Sequence, residues 1–291
     1  MKTFMKVAIA AVFLAPPLLS GAAGAETLLD KRFKDQDSDP FAVTAYRPNY
    51  LMPWTYMTHP NDDLFKQVDK NGTHHLQNVE AKFQISVKML VWKDILNVDN
   101  LNLDLAYTQL SLWQAYNSDA SSPFRDTNYE PEIRVSKRLD YHVIGNIHVR
   151  SAVMGFDHQS NGRGAEILSR SWNRLYWEGI AEGGPLVVSL KPFWRIPEGS
   201  DDNNPGMTNF YGNFELRAAL KLEKHVFSVM WRNNLYFNDN NRGAVEFSYS
   251  YPVATKLRFY AQYFNGFGES LIDYNHPDER IGVGIAVSDW L

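Results

Sequence analysis

Residues 79–91, VEAKFQISVKMLV, place Val79, Ala81, Phe83, Ile85, Val87, Met89 and Val91 at every second position, with Glu80, Lys82, Gln84, Ser86 and Lys88 between them. Successive side chains of a strand point to opposite faces, so this period of two predicts a strand with one apolar and one polar face, and no amphipathic helix produces it. A soluble β-sandwich explains one such segment as well as a membrane barrel does. The pattern recurs, however. Leu101, Leu103, Leu105 and Tyr107 alternate with Asn102, Asp104 and Ala106, and Val245, Phe247, Tyr249 and Tyr251 with Glu246, Ser248 and Ser250. Leu257, Phe259, Ala261 and Tyr263 follow, and then Ile281, Val283, Ile285 and Val287 close to the end of the chain at Trp290-Leu291.

Turn clusters such as Asn117-Ser118-Asp119, Asp201-Asp202-Asn203-Asn204-Pro205 and Asn238-Asp239-Asn240-Asn241 separate these segments. Twelve strands are expected, at 42–52, 78–92, 100–115, 128–139, 146–160, 170–182, 185–196, 208–223, 225–237, 243–252, 256–265 and 280–290. An even number fits an all-β, antiparallel transmembrane barrel closed from a single chain. No internal repeat divides the sequence, and one domain is expected.

The N-terminus strengthens the membrane reading. Lys2 and Lys6 precede an apolar stretch from Val7 to about Leu19, broken by Pro16 and Pro17, and Ala23-Gly24-Ala25 fits a small-residue cleavage site. Residues 1–25 are therefore read as a signal peptide rather than a retained anchor. Residues 26–291 are the barrel domain, beginning with a short exposed segment, 26–40, rich in Asp and Lys. Loss of Lys2 and Lys6 moves the formal net charge from −4 to −6, which argues against a nucleic-acid partner. The exported chain has no cysteine and 14 % aromatic residues, with 8 Trp and 15 Tyr. After residue 25 no apolar run approaches the length of a spanning helix.

Within the 146–160 strand, His158 and Ser160 share a face with Ala152, Met154 and Phe156, the apolar side. Upstream the phase is mixed, because Ile147 and Val149 favour the other parity, as a bulge or an exit from the membrane produces. On the next strand Asn173 is in phase with Leu175, Trp177, Gly179 and Ala181. Three polar groups on a lipid-facing side are costly unless they act on something there. Serine becomes a nucleophile when an imidazole takes its proton, and the imidazole needs a partner that sets its tautomer. Asn173 is the in-phase candidate, whereas Asp157 projects to the opposite face. A neutral partner stabilises the developing imidazolium less than a carboxylate, so a cation near the oxyanion becomes attractive. The other histidines carry no such constellation.

The motifs His158-Gln159-Ser160-Asn161-Gly162-Arg163 and Ser169-Arg170-Ser171-Trp172-Asn173-Arg174-Leu175-Tyr176 resemble the outer membrane phospholipase A family of Gram-negative bacteria. The blocks Tyr107-Thr108-Gln109, SSPFRDTNYEP at 121–131 and GESLIDY at 268–274 agree, in the family's order. The resemblance implies a twelve-stranded outer-membrane barrel that hydrolyses acyl esters of phospholipids and lysophospholipids, with Ser160 as nucleophile, His158 as base and Asn173 as orienter. It implies Ca2+ held by the carbonyl of Arg163, the hydroxyl of Ser169 and Ser121 from a second subunit, with the Gly162 amide at the oxyanion. It also implies activation by homodimerisation, with Gln109 at the dimer contact. Two departures stand out. The segment from Arg163 to Ser169 is one residue longer than the family spacing and carries Glu166, and the chain ends in Leu291 where many barrels end in Phe.

A different class, a passive pore or an inactive structural barrel, is kept open by the lumen-side charges Glu80, Lys82, Lys88 and Asp104. They either fill a narrow barrel or line a channel. A barrel protease would need a carboxylate-based constellation, and Asp157 alone is too little for that.

Overall fold

The computed structural model describes residues 27–38, 41–68, 72, 74–164, 168–199 and 202–291. Residues 1–25, expected as a signal peptide, and Glu166 lie outside the described residues. No described helix is long and apolar enough to cross a membrane. The chain spans with strands instead: β1 (Val43–Ala45), β2 (Asn49–Met57), β3 (Val79–Trp92), β4 (Leu101–Trp113), β5 (Phe124–Ile144), β6 (Ile147–Ser160), β7 (Ser171–Gly183), β8 (Leu186–Ile196), β9 (Phe214–Leu222), β10 (His225–Asn233), β11 (Gly243–Ala254), β12 (Leu257–Phe267) and β13 (Pro277–Ser288).

Every pairing is antiparallel, each strand from β2 on lies beside its sequence neighbours, and β13 pairs with β2 to close the sheet. The closed wall therefore has twelve staves, as the alternation predicted. The extra strand, β1, lies on the same edge of β3 as β2, with Thr44 opposite Lys88 and Tyr50 opposite Gln84. The segment expected as one strand at 42–52 is thus interrupted near Pro48, which has no N–H to give the ladder, and β2 runs on to Met57. The strand expected at 208–223 begins only at Phe214. Residues Thr208–Tyr211 form a helical turn because Met207 and Tyr211 turn inward together onto Trp172, Phe193 and Leu271.

The faces follow the sequence phase. Glu80, Lys82, Asn102 and Asp104 are buried, while Ile85, Leu105, Met154, Leu175 and Trp177 are exposed on the outside, where lipid covers them. The phase switch in β6 is a bulge: pairing with β7 slips between Val149 and Ser151, and both Arg150 and Ser151 end up buried.

Ion pairs occupy the lumen. Arg280 reaches Glu80 at 2.8 Å and Glu269 at 2.7 Å, Lys82 reaches Glu269 at 2.9 Å, and Arg125 bridges Glu80 and Asp273. Nearby, oxygens of Glu130, Glu132 and Asp157 lie within 4.8 Å of one another. Arg47, Arg174 and Lys191 neutralise them, with Arg47 2.7 Å from Glu132 and Arg174 2.6 Å from Asp157. Three cations against three carboxylates make this an ion-pair cluster rather than a metal centre, and of the charges left open by the sequence Glu80 and Lys82 are taken up in ion pairs across the lumen.

The short turns between β5 and β6, β7 and β8, β9 and β10, and β11 and β12 share one end, and most of the longer connections share the other. By the usual barrel asymmetry the long-loop end is extracellular. At the short-turn end the segment expected to be exposed forms helix α1 (Leu28–Ser38). The Glu182 carboxylate accepts the Leu28 N–H at 2.7 Å, the position where a negative charge favours a helix N-terminus. Arg32 donates to the carbonyl oxygens of Trp290 and Tyr46, Asp30 pairs with Arg150, and Leu29 is buried. The helix caps the lumen.

Candidate active site

His158, Ser160 and Asn173 lie at the long-loop ends of β6 and β7, all half-buried on the outer face. Antiparallel pairing sets His158 directly opposite Asn173. The imidazole Nδ1 is 2.9 Å from Asn173 Oδ1. On its other side the Asn173 amide nitrogen donates to Glu198 Oε1 at 3.1 Å. Ser160 stands one pleat beyond His158, opposite Ser171 on β7 and Tyr129 on β5. Asp157, the rival orienter, faces inward to Arg174 at 2.6 Å.

The register is locked from inside. Trp172, fully buried, packs edge-on against Phe193 and Tyr211, and its indole N–H donates to Gln159 at 2.8 Å. Arg174 lies over the Trp172 ring at 4.1 Å while holding Asp157. The inward neighbours of the outward polar groups are thus tied to each other across the β6–β7 seam. A slip of β7 by one residue against β6 would turn Asn173 inward, away from His158.

After Ser160 the chain turns through Gly162, whose φ of +65° lies in the left-handed region. A Cβ there would sit 3.0 Å from Tyr129 Cε2. Asn161 staples the following loop: its Nδ2 donates to the Leu168 carbonyl at 2.8 Å, and its Oδ1 accepts the Arg170 N–H at 3.0 Å and the Arg163 N–H at 3.4 Å. Arg163 and Ser169, the two residues expected to hold a cation within one chain, therefore flank one side chain. The Arg163 guanidinium turns away to the carbonyls of Phe124 and Arg125. A backbone carbonyl and a hydroxyl are neutral oxygen donors of the kind a hard cation takes, so the residues fit calcium. Ser121 stands exposed on the neighbouring loop between β4 and β5, with φ +61°.

Gln109 faces outward on β4, accepting from the Tyr107 hydroxyl at 3.1 Å and donating to Ser111 at 3.2 Å. It pairs with Tyr129, which pairs with Ser160. Gln109 and Ser160 therefore share one row of the outer wall, two strands apart. Glu198, Asn161 and Tyr129 did not emerge as site residues from the sequence. For Glu198 a signal existed, since it continues the outward phase of Leu190, Pro192, Trp194 and Ile196 past the end of β8.

A closed, ion-filled barrel with an apolar outer band, carrying its polar constellation on the lipid side rather than in the lumen, defines an outer-membrane β-barrel built to act on its surroundings. Comparison with known proteins names the family. The phospholipase A1 family profile matches residues 27–287. Phospholipase A1 of Klebsiella pneumoniae is 38 % identical over 255 residues, 87 % of this chain and 85 % of that protein. That of Escherichia coli is 37 % identical over 254 residues, 87 % of this chain and 84 % of that protein. The solved outer membrane phospholipase A from E. coli superposes with a TM-score of 0.79 at 37 % identity, covering 87 % of this chain and 94 % of that one. The Salmonella typhi outer membrane phospholipase dimer with bound calcium gives 0.79 at 38 %, covering 86 % and 94 %. An E. coli active-site mutant in which an asparagine is replaced by alanine also gives 0.79, at 36 %, covering 87 % and 94 %. The chain belongs to the phospholipase A1 family and is an outer-membrane phospholipase.

Proposed function

We propose that the chain hydrolyses acyl esters of phospholipids and lysophospholipids in the outer membrane through Ser160, His158 and Asn173, with calcium, as a homodimer. The observation that carries this reading is the 2.9 Å contact of His158 Nδ1 with Asn173 Oδ1 on the lipid-facing side. An amide oxygen only accepts, so Nδ1 carries the proton and the Nε2 lone pair is left for the Ser160 hydroxyl. Ser160 Oγ attacks the ester carbonyl carbon as His158 takes its proton. The tetrahedral adduct expels the glycerol oxygen, which receives that proton from His158, and leaves the acyl group on Ser160. Water, deprotonated by the same imidazole, then releases the fatty acid. The Gly162 N–H is assigned to the oxyanion.

Arg163 through its carbonyl, Ser169 through its hydroxyl and Ser121 of a second copy are the proposed calcium ligands. When bound, the ion supplies positive charge near the oxyanion, which an uncharged orienter leaves in demand. The Salmonella typhi dimer with bound calcium supports a role for calcium and for a dimer, and the E. coli active-site mutant supports an asparagine in the site. Gln109, in the row of Ser160, is proposed at the dimer contact.

The test is fatty-acid release from phospholipid–detergent micelles in calcium and in excess chelator, with Ser160→Ala as control. Release that requires both calcium and Ser160 is expected. Release surviving chelation would remove calcium and keep the triad, and a folded barrel without release would point to an inactive member.

A further inference from the structure

We infer that Glu198 is a positioning residue that orients the Asn173 amide and, through it, selects the tautomer of His158; this rests on the functional reading above. Three adjacent strands supply the relay. His158 on β6 faces Asn173 on β7, and Asn173 faces Ile196, the last residue of β8. Glu198 follows two residues on, so its side chain continues the outward row that ends at Ile196. Pro197 holds the intervening residue to its fixed φ and keeps Ile196 extended.

The loop that carries Glu198 is anchored on both sides. Arg195 makes two 2.7 Å bonds to the Asp202 carboxylate, and Asn204 Oδ1 accepts the Ser171 N–H at 3.1 Å, tying the far end of the loop to the start of β7.

The chemistry leaves one arrangement. An asparagine amide presents an acceptor on one side and donors on the other, and its two ends are of nearly equal size, so packing alone does not choose between them. A carboxylate only accepts. With Glu198 Oε1 3.1 Å from the amide nitrogen, the NH2 must face Glu198 and the oxygen must face His158. A flipped amide would set its oxygen against the carboxylate and turn its N–H to Nδ1, a contact that only the opposite tautomer, with Nδ1 unprotonated, accepts. The oxygen at 2.9 Å from Nδ1 then fixes the Nδ1–H tautomer, whose Nε2 is the basic nitrogen. Glu198 thus acts on the base through Asn173 without touching substrate, and its charge polarises the amide toward the imidazolium that forms in the transition state.

The experiment compares full-length, refolded wild-type protein with Glu198→Ala, Glu198→Gln, Asn173→Ala and the Glu198→Ala/Asn173→Ala double variant. Phospholipid hydrolysis is measured in calcium, and the His158 tautomer is read from imidazole 15N shifts in micelles. Glu198→Ala is expected to lose roughly ten- to a hundredfold in kcat, the scale of one charge-assisted hydrogen bond, with KM little changed. Glu198→Gln, whose amide oxygen accepts the same bond, recovers most of that loss. In the Asn173→Ala background, Glu198→Ala adds nothing further. The 15N shifts report the Nδ1–H tautomer in wild type and Glu198→Gln and a mixture in Glu198→Ala.

Unchanged kcat in Glu198→Ala, or an equal loss with and without Asn173, would overturn the proposal. So would an unaltered tautomer. If the folded wild type hydrolyses nothing, the functional reading fails by itself, and the tautomer measurement still decides the role of Glu198.

Discussion

His158 and Asn173 meet across the β6–β7 seam with Nδ1 2.9 Å from Oδ1, on the side of the wall that faces lipid. The contact follows from strand register, because the two residues are direct cross-strand partners. An aspartate at 173 would be the stronger orienter in isolation. In this barrel Glu198 stands 3.1 Å from the amide nitrogen, so Asn173→Asp brings two carboxylates together and one of them takes up a proton. The single variant is expected to lose activity at neutral pH, and Asn173→Asp/Glu198→Gln to regain it. Hydrolysis rates of the three proteins check this, and full activity in Asn173→Asp alone would contradict it.

Gly162 meets two constraints at once, a φ of +65° and a Tyr129 ring that a Cβ would approach to 3.0 Å. Gly162→Ala should cost about 1–2 kcal/mol of stability from backbone strain and crowding, and should displace the N–H assigned to the oxyanion. Adding Tyr129→Ala relieves the crowding and leaves the strain. Urea unfolding in micelles measures the first effect and kcat the second.

Burial pushes the Asp273 carboxyl up to about 6, with Asp278 adding to the rise and Arg125 opposing it. The folded chain therefore holds this proton more tightly than the unfolded one, and stability falls as pH rises from about 4 to 6, by about 2–3 kcal/mol. His276 is also raised, by the Asp278 carboxylate 3.7 Å from its Nδ1. Its contribution is present below the ordinary histidine range and is lost as pH climbs through the raised value. Both groups act in the same direction. Relative to Asp273→Asn, the wild type should lose stability between about pH 4 and 6, read from the two proteins' unfolding midpoints across pH 4 to 8. A difference between them that stays constant or grows in favour of the wild type across this window would refute the assignment.

Arg174 holds Asp157 at 2.6 Å and Glu130 at 3.0 Å and spans the inner side of the site. Arg174→Ala leaves three buried carboxylates with two cations and is expected to cost about 3–5 kcal/mol. The wild-type lumen, filled by such pairs and capped by α1, should show no open-porin conductance steps in planar bilayers. Steady channel openings would revive the pore reading.

Gln109, in the outer-wall row of Ser160, is proposed to bond across a dimer. Gln109→Ala should weaken dimerisation by about three- to thirtyfold, since one polar contact in lipid contributes about 0.6–2 kcal/mol. Sedimentation in detergent with calcium measures the dimer fraction. Unfolding midpoints should stay near wild type.

The period of two was enough to determine the twelve-stave wall and to assign His158, Ser160 and Asn173 to its outer face, because a strand's side-chain direction is set by position parity alone. The same parity placed Glu80, Lys82 and Asp104 inside. Parity carries no information about partners across strands. Whether Glu80 and Lys82 lined a channel or were paired across it depended on Arg280, Arg125 and Glu269, which reach them from distant parts of the chain. The docking of helix α1 was not legible in the sequence because the groups that bind it, Glu182, Arg150 and the Trp290 carbonyl, come from distant strands. Glu198 showed the correct phase beyond its strand, but only the β7–β8 register and the anchored loop brought its carboxylate to Asn173. Local geometry decides which way a side chain points, and the closed barrel decides what it meets.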